Sequence, residues 1–99
     1  MNITIQSVRF DASVQLEEFI QQKVGKLEQF FDGIVSAEVI LKLDKSDSTE
    51  NKVVEISLSL PGNELFAKKQ NKTFEEGVDL AVDALRKQLI KWKEKVRAK

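Results

Sequence analysis

A two-layer α+β sandwich of order βαβββα is the fold class this sequence predicts, with a four-stranded mixed sheet carrying both helices on one face. Three observations predict it. Four short segments alternate apolar and polar residues with the period of a half-buried strand. Two longer segments repeat apolar residues at helical spacing, each with a single apolar stripe. A strand–helix–strand opening favours a parallel crossover, while a Pro-Gly turn late in the chain favours antiparallel pairing.

Taken in order, Ile3 and Ile5 alternate with Thr4 and Gln6 as a short first strand. Ser13 is placed to cap a helix whose early Glu17 and Glu18 suit the helix dipole. Leu16, Phe19, Ile20, Val24, Leu27, Phe30 and Phe31 then recur at helical spacing, and Asp32-Gly33 is the expected stop, with Gly33 as terminator. Val39, Leu41 and Leu43 alternate with Glu38, Ile40 and Lys42 as a second strand. A polar loop from Asp44 to Asn51 leads to a third strand marked by Val54, Ile56, Leu58 and Leu60. Pro61-Gly62-Asn63 is a turn signal. Residues 64–70 form a weaker fourth strand, with Leu65 and Ala67 on one face and Phe66 and Lys68 on the other. Thr73-Phe74-Glu75-Glu76 has the form of a capping box. Phe74, Val78, Val82, Leu85, Leu89, Trp92 and Val96 then trace one stripe of a long helix running to about Arg97. The second sheet face, with Thr4, Gln6, Lys42, Glu55, Ser57 and Ser59, is expected to be solvated.

Ninety-nine residues suit one domain, read as spanning 1–99, with 41% hydrophobic and 32% charged residues in an ordinary globular balance. The N-terminus lacks the layout of a secretory signal, no apolar run is long enough for a bilayer, and cysteine is absent, so a cytoplasmic location is the default. The chain also has no His and no Tyr, and its seven early and middle serines have no imidazole to activate them. Catalysis is therefore not expected, and neither is a cofactor. The loop acids Asp44, Asp47 and Glu50 are better explained by loop solubility than by a hard cation. No membrane and no small-molecule substrate is implied, and a monomer is the default state.

Sixteen bases and sixteen acids cancel to a net charge of zero. The distribution is far from even. Residues 86–99 hold seven bases and one acid, a net +6, and residues 1–85 hold nine bases and fifteen acids, a net −6. Cations near a helix C-terminus complement its dipole, but here they occupy three to four turns rather than one. With the apolar stripe facing the core, Arg86, Lys93 and Arg97 form one flank of the helix and Lys87, Lys91 and Lys95 the other. Lys68, Lys69 and Lys72 precede this helix. Lys26 flanks the stripe of the first helix, and Lys23 falls inside it and must snorkel outward. Side by side, the two helices would join these groups in one field. The residues alone leave three readings of the basic segment: phosphate binding, dipole compensation with solubility, or docking to an acidic protein. About six phosphate contacts would give log K a slope near −4 to −5 against log salt. Base readout by the open sheet is not implied, because it lacks a pair of aromatic rings, and Trp92 sits at core spacing.

Lys23-x-x-Lys26-Leu27-Glu28-x-Phe30-Phe31-Asp32, together with Asp83-x-Leu85-x-Lys87-Gln88-Leu89-x-Lys91-x-Lys93, resembles the ribosome hibernation-promoting factor and protein Y family over essentially the whole chain. The second motif is the more specific. The resemblance implies a double-stranded-RNA-binding-domain-like architecture. It implies a partner, the small ribosomal subunit and its rRNA, met in the channel used by messenger and transfer RNA, with translation blocked in stationary phase or stress. By position, Lys23, Lys26, Lys87, Lys91 and Lys93 match the family's basic sites, and Arg86 and Lys95 are compatible neighbours. Ala84 replaces a frequent base, Thr73-Phe74 replaces a usual Met-Tyr or Leu-Tyr pair, and Lys68, Lys69 and Lys72 add charge where the family is often neutral or acidic. With Lys99 directly after the last helix, the chain resembles the short form, without the domain through which long forms pair two ribosomes. A free-standing duplex-RNA binder or an acidic-protein-binding module is the alternative function.

Overall fold

Local chemistry sets the boundaries of each element in the computed structural model, which describes residues 1–45 and 49–97. Strand β1 (Asn2–Ser7) leads to helix α1 (Val14–Gly25), capped where the Leu16 amide donates to Ser13 Oγ at 3.1 Å. Strands β2 (Ser36–Leu43), β3 (Lys52–Leu60) and β4 (Asn63–Asn71) follow, and then helix α2 (Phe74–Arg97). The β3–β4 turn is two residues long, with Leu60 paired to Asn63 and Gly62 at φ 74°, the conformation that a Pro-Gly turn requires of its second residue. At the start of α2 half of the capping box is made: the Glu76 amide donates to Thr73 Oγ1 at 3.1 Å. Of the polar loop at 44–51, residues 46–48, including Asp47, lie outside the described residues, as does Lys99. Gln70 ties the ends of this loop to β4, donating to Asp44 Oδ2 and to the Glu50 carbonyl.

The sheet order is β1-β2-β3-β4, with β1 parallel to β2 and the other pairs antiparallel. Strand alternation sends Ala37, Val39, Leu41, Val54, Ile56, Leu58, Leu60 and Ala67 to the helix side, where each is at most 6% exposed. They meet Leu16, Ile20, Val24 and Leu27 from the first helical segment and Phe74, Val78, Ala81, Leu85 and Leu89 from α2 in one core. Among the described residues no polar or charged side chain is buried in it. Both helices therefore lie on one face, α2 over β3 and β4 and α1 beside α2 and against β1. The opposite face carries rows such as Thr4–Glu38–Ser57–Phe66 and Gln6–Ile40–Glu55–Lys68.

The first helix departs from the expected stop. The α-helical part closes at Gly25, and a 3₁₀ turn over Lys26–Gln29 replaces the run to Asp32-Gly33. The tighter turn keeps Leu27 in the core, 1% exposed, and sets Phe30 a full turn later, its amide donating to the Leu27 carbonyl. Gly33 is no left-handed terminator. A Cβ there would lie 2.5 Å from Phe31 Cζ, so its lack of a side chain is what lets the Phe31 ring fold back. At the far end of α2, Trp92 is half-buried and Val96 is 53% exposed, because the helix has reached the β3–β4 turn and little sheet lies beneath it.

Candidate nucleic-acid interface

The two-helix layer brings Lys23 and Lys26 from α1 and its 3₁₀ extension to face Arg86 across a groove of about 270 Å³, whose floor is Leu27, Phe30 and Val82. Lys23 resolves its place in the apolar stripe by snorkelling. Its stem reaches past Phe19, with Nζ 5.5 Å from the ring centroid, and Nζ meets Asp79 Oδ1 at 3.1 Å. Arg86 lies with its guanidinium carbon 5.9 Å from the Phe30 ring centroid and binds Asp83 Oδ1 at 2.9 Å. Lys87 takes the other Asp83 oxygen at 3.2 Å. Hydrogen bonds from Arg86 first and Lys87 second hold the Asp83 carboxyl below its ordinary pKa. Further along, Lys93 Nζ reaches across to donate to the Phe30 carbonyl, tying the end of α2 to the 3₁₀ segment.

On the other flank Lys87, Lys91 and Lys95 are exposed, as the helical wheel places them. Lys26, Lys91, Lys93, Lys95 and Arg97 form no ion pair with any acid among the described residues. The cations thus fall into two kinds. Lys23, Arg86 and Lys87 are oriented by aspartates, whereas the others keep their charge uncompensated at short range.

Lys68, Lys69 and Lys72 lie away from the basic C-terminal end of α2. Lys68 pairs in register with Glu55 and points to the open sheet face, opposite the helices. Lys69 is half-buried on the helix side of the edge strand, and Lys72 lies in the bend before α2. At 1.5 Å per residue, Lys72 is roughly 25–30 Å along the helix axis from Lys91. Phe66 is the exposed ring of the open face, at 49%.

Three contributors escape a reading of basic residues alone. Asp79 and Asp83 orient cations, and the i+3 and i+4 spacing from Asp83 to Arg86 and Lys87 is a usable signal for the second. Gln88, inside the second motif, donates to the Phe66 carbonyl at 2.9 Å and pins α2 to β4. Nothing local announces that bond, because it depends on the helix-to-strand packing. Among the described residues no group of three or more His, Cys, Asp or Glu side chains could hold a metal ion, and no helix is long and apolar enough to cross a membrane.

Known proteins share this fold. A ribosomal subunit interface protein from Coxiella burnetii superimposes with a TM-score of 0.85 at 26% identity, covering 95% of this chain and 99% of that one. The Thermus thermophilus Protein Y N-terminal domain has the same fold, with a TM-score of 0.80 at 24% identity over 93% of this chain and 99% of its own. Two proteins named ribosome hibernation promoting factor are similar in sequence. That of Azotobacter vinelandii is 32% identical over 95 residues, 96% of this chain and 85% of its own, and that of Escherichia coli K12 is 30% identical over 97 residues, 98% of each. A family model described as Sigma 54 modulation protein / S30EA ribosomal protein matches residues 3–97, and the chain belongs to that family.

Proposed function

We propose that this protein is a ribosome hibernation factor. It binds the small ribosomal subunit in the mRNA and tRNA channel through rRNA phosphates, and it stops translation by occupancy without chemistry. The observation that carries the reading is the meeting of Lys23 and Lys26 with Arg86 across one groove, continued along the same flank of α2 by Lys93. Two helices offering cations at fixed separation match a folded RNA backbone, and a single dipole-compensated helix end would not need the α1 lysines. The names of the relatives at 30% and 32% identity support the same partner.

Sucrose-gradient sedimentation tests it. The protein is expected with small subunits and whole ribosomes at low salt, and released as salt rises with a slope set by about six phosphate contacts. Absence from every ribosomal fraction at low salt overturns the reading. The triple change Lys87→Glu, Lys91→Glu, Lys93→Glu is expected to abolish co-sedimentation while circular dichroism still reports the native fold. A folded triple variant that binds as before removes α2 from the interface.

A further inference from the structure

Where α2 passes the β3–β4 turn, an open cavity of about 500 Å³ lies between them, within the size range of small-ligand sites. Phe31, Pro61, Trp92 and Val96 give it an apolar lining, and the charged groups at its rim are Lys93 and Arg97, both cations. Trp92 meets the Phe31 ring edge-on, with centroids 4.9 Å apart and planes at 68°. The indole is half-buried, so one part packs on the core while another borders the cavity. The Phe31 wall stands where it does because Gly33 has no Cβ to block the ring. Carboxylates stand apart: Glu28 and Asp32 line the neighbouring groove on the other side of Phe31, which shares Lys93 and Arg97.

An apolar lining that includes a half-buried indole, with two cations at its rim, is complementary to one class of ligand, a nucleotide whose base face is free and whose phosphate lies close by. A base inside a duplex offers no free face, so the complementary RNA is single-stranded. Lys93 belongs to this cavity and to the proposed two-helix surface, which makes the two continuous. We infer that this cavity takes one unstacked nucleotide of single-stranded RNA, with its base against Trp92 and Val96 and its phosphate at Lys93 and Arg97. The inference rests on the proposed RNA-binding role of α2 and adds a base-stacking position to it.

Trp92 is the only tryptophan, so indole fluorescence reports this cavity alone. The full chain is titrated with hexauridylate, with hexaadenylate and with a short RNA duplex of the same length, each end-labelled so that anisotropy measures binding separately. The single strands are expected to quench Trp92 saturably, and the duplex to bind with little quenching. Val96→Gln changes no charge and alters an exposed wall. It is expected to weaken single-strand binding about fivefold, as loss of part of one base–ring contact should, and to leave duplex binding and melting temperature unchanged. Should that variant melt lower, Val96→Ala, which trims the same wall without changing charge, gives the same comparison. Single strands that bind without changing Trp92 emission overturn the inference, as does an equal loss of duplex and single-strand binding in the variant. Co-sedimentation of the same preparation keeps the two ideas apart. Protein that sediments with ribosomes but shows no quenching refutes the cavity assignment alone. Protein that is quenched selectively by single strands yet never sediments supports the cavity and refutes the ribosomal role.

Discussion

Gly77 sits in the first turns of α2 directly over β3, and replacing it with alanine measures how tightly the helix is pressed onto the sheet. In an exposed helix the change would stabilise by about 1 kcal/mol. Here the new Cβ would lie 2.8 Å from Val54 Cγ2 and 3.4 Å from Val54 Cβ. Val54 is wholly buried, and its branched side chain has little rotamer freedom with which to retreat. Overpacking of this kind costs about 1–3 kcal/mol, so the clash outweighs the propensity gain and Gly77→Ala is expected to destabilise by about 1 kcal/mol net. For a domain of this size that is a fall in Tm of roughly 4–8 °C. Urea and thermal melts of the single and double variants decide the matter. Val54→Ala alone should cost about 2 kcal/mol by opening a cavity. In the double variant the added methyl enters the vacated space, and the coupling should reach about 1 kcal/mol in favour of the pair. A Gly77→Ala protein more stable than the parent, or a cycle that is additive, would refute close approach of α2 to β3 as the reason for the glycine. The point bears on the interface, because the seating of α2 fixes where Arg86 and Lys93 face the first helix.

Asp83→Asn should release Arg86 and Lys87, raising affinity for ribosomes about three- to tenfold at low salt, an advantage that disappears as screening increases. The same aspartate gives a pH signature. Its folded pKa lies below the ordinary 3.8, so its stabilising contribution is present above that value and is lost as pH falls through the lowered one. Melting curves between about pH 2 and pH 5 should show this loss in the parent and not in Asp83→Asn. Ser13→Ala and Thr73→Ala each remove a cap oxygen bonded at 3.1 Å, and each should cost about 1 kcal/mol in urea melts, additively because the two caps share no partner. Arg9 holds φ at 67°, so Arg9→Asn should raise the melting temperature by a few degrees while leaving ribosome binding unchanged.

Periodicity made the sheet and α2 legible before any coordinates. Val54, Ile56, Leu58 and Leu60 are buried as the alternation requires, and Phe74, Val78, Leu85 and Leu89 line the buried face of α2. The end of α1 was not legible, since a 3₁₀ turn and an α-turn place Leu27 and Phe30 on similar faces and differ only in tightness. Val53 shows a second gap: it is 6% exposed on the sheet face opposite the helices, next to Lys42 and Gln70 in register, so long polar neighbours bury what alternation reads as solvated. In the interface, Lys68 shows that nearness in sequence to a helix is a poor guide to sharing its surface, for its alternation with the buried Ala67 already assigns it to the open face. The pairing of Lys23 with Asp79 needs the spacing between two helices, and no property of either segment supplies that.

Whether the basic end of α2 merely balances a helix dipole can be judged by magnitude. The dipole amounts to roughly half a negative charge at the C-terminus, and its influence fades within the last turn. Residues 86–99 carry a net +6, an order of magnitude more than the dipole calls for. The excess is also misplaced for that purpose, since Arg86, Lys87 and Lys91 lie one to three turns before the helix ends at Arg97. Solubility does not require it either, because interspersed Glu–Lys pairs would serve and Glu94 is the one acid of that stretch. The acids that could have been interspersed, Glu75, Glu76, Asp79 and Asp83, stand together in the N-terminal half of the same helix. On the proposed RNA-binding role, a phosphate backbone would be repelled from one half of α2 and attracted to the other, so one helix would set both the position and the direction of docking. The groove beside it carries the lysines of α1 to the boundary between those halves, where Asp79 and Asp83 hold Lys23, Arg86 and Lys87 in place. Cations fixed at that boundary give the surface a register that a uniformly basic helix would lack.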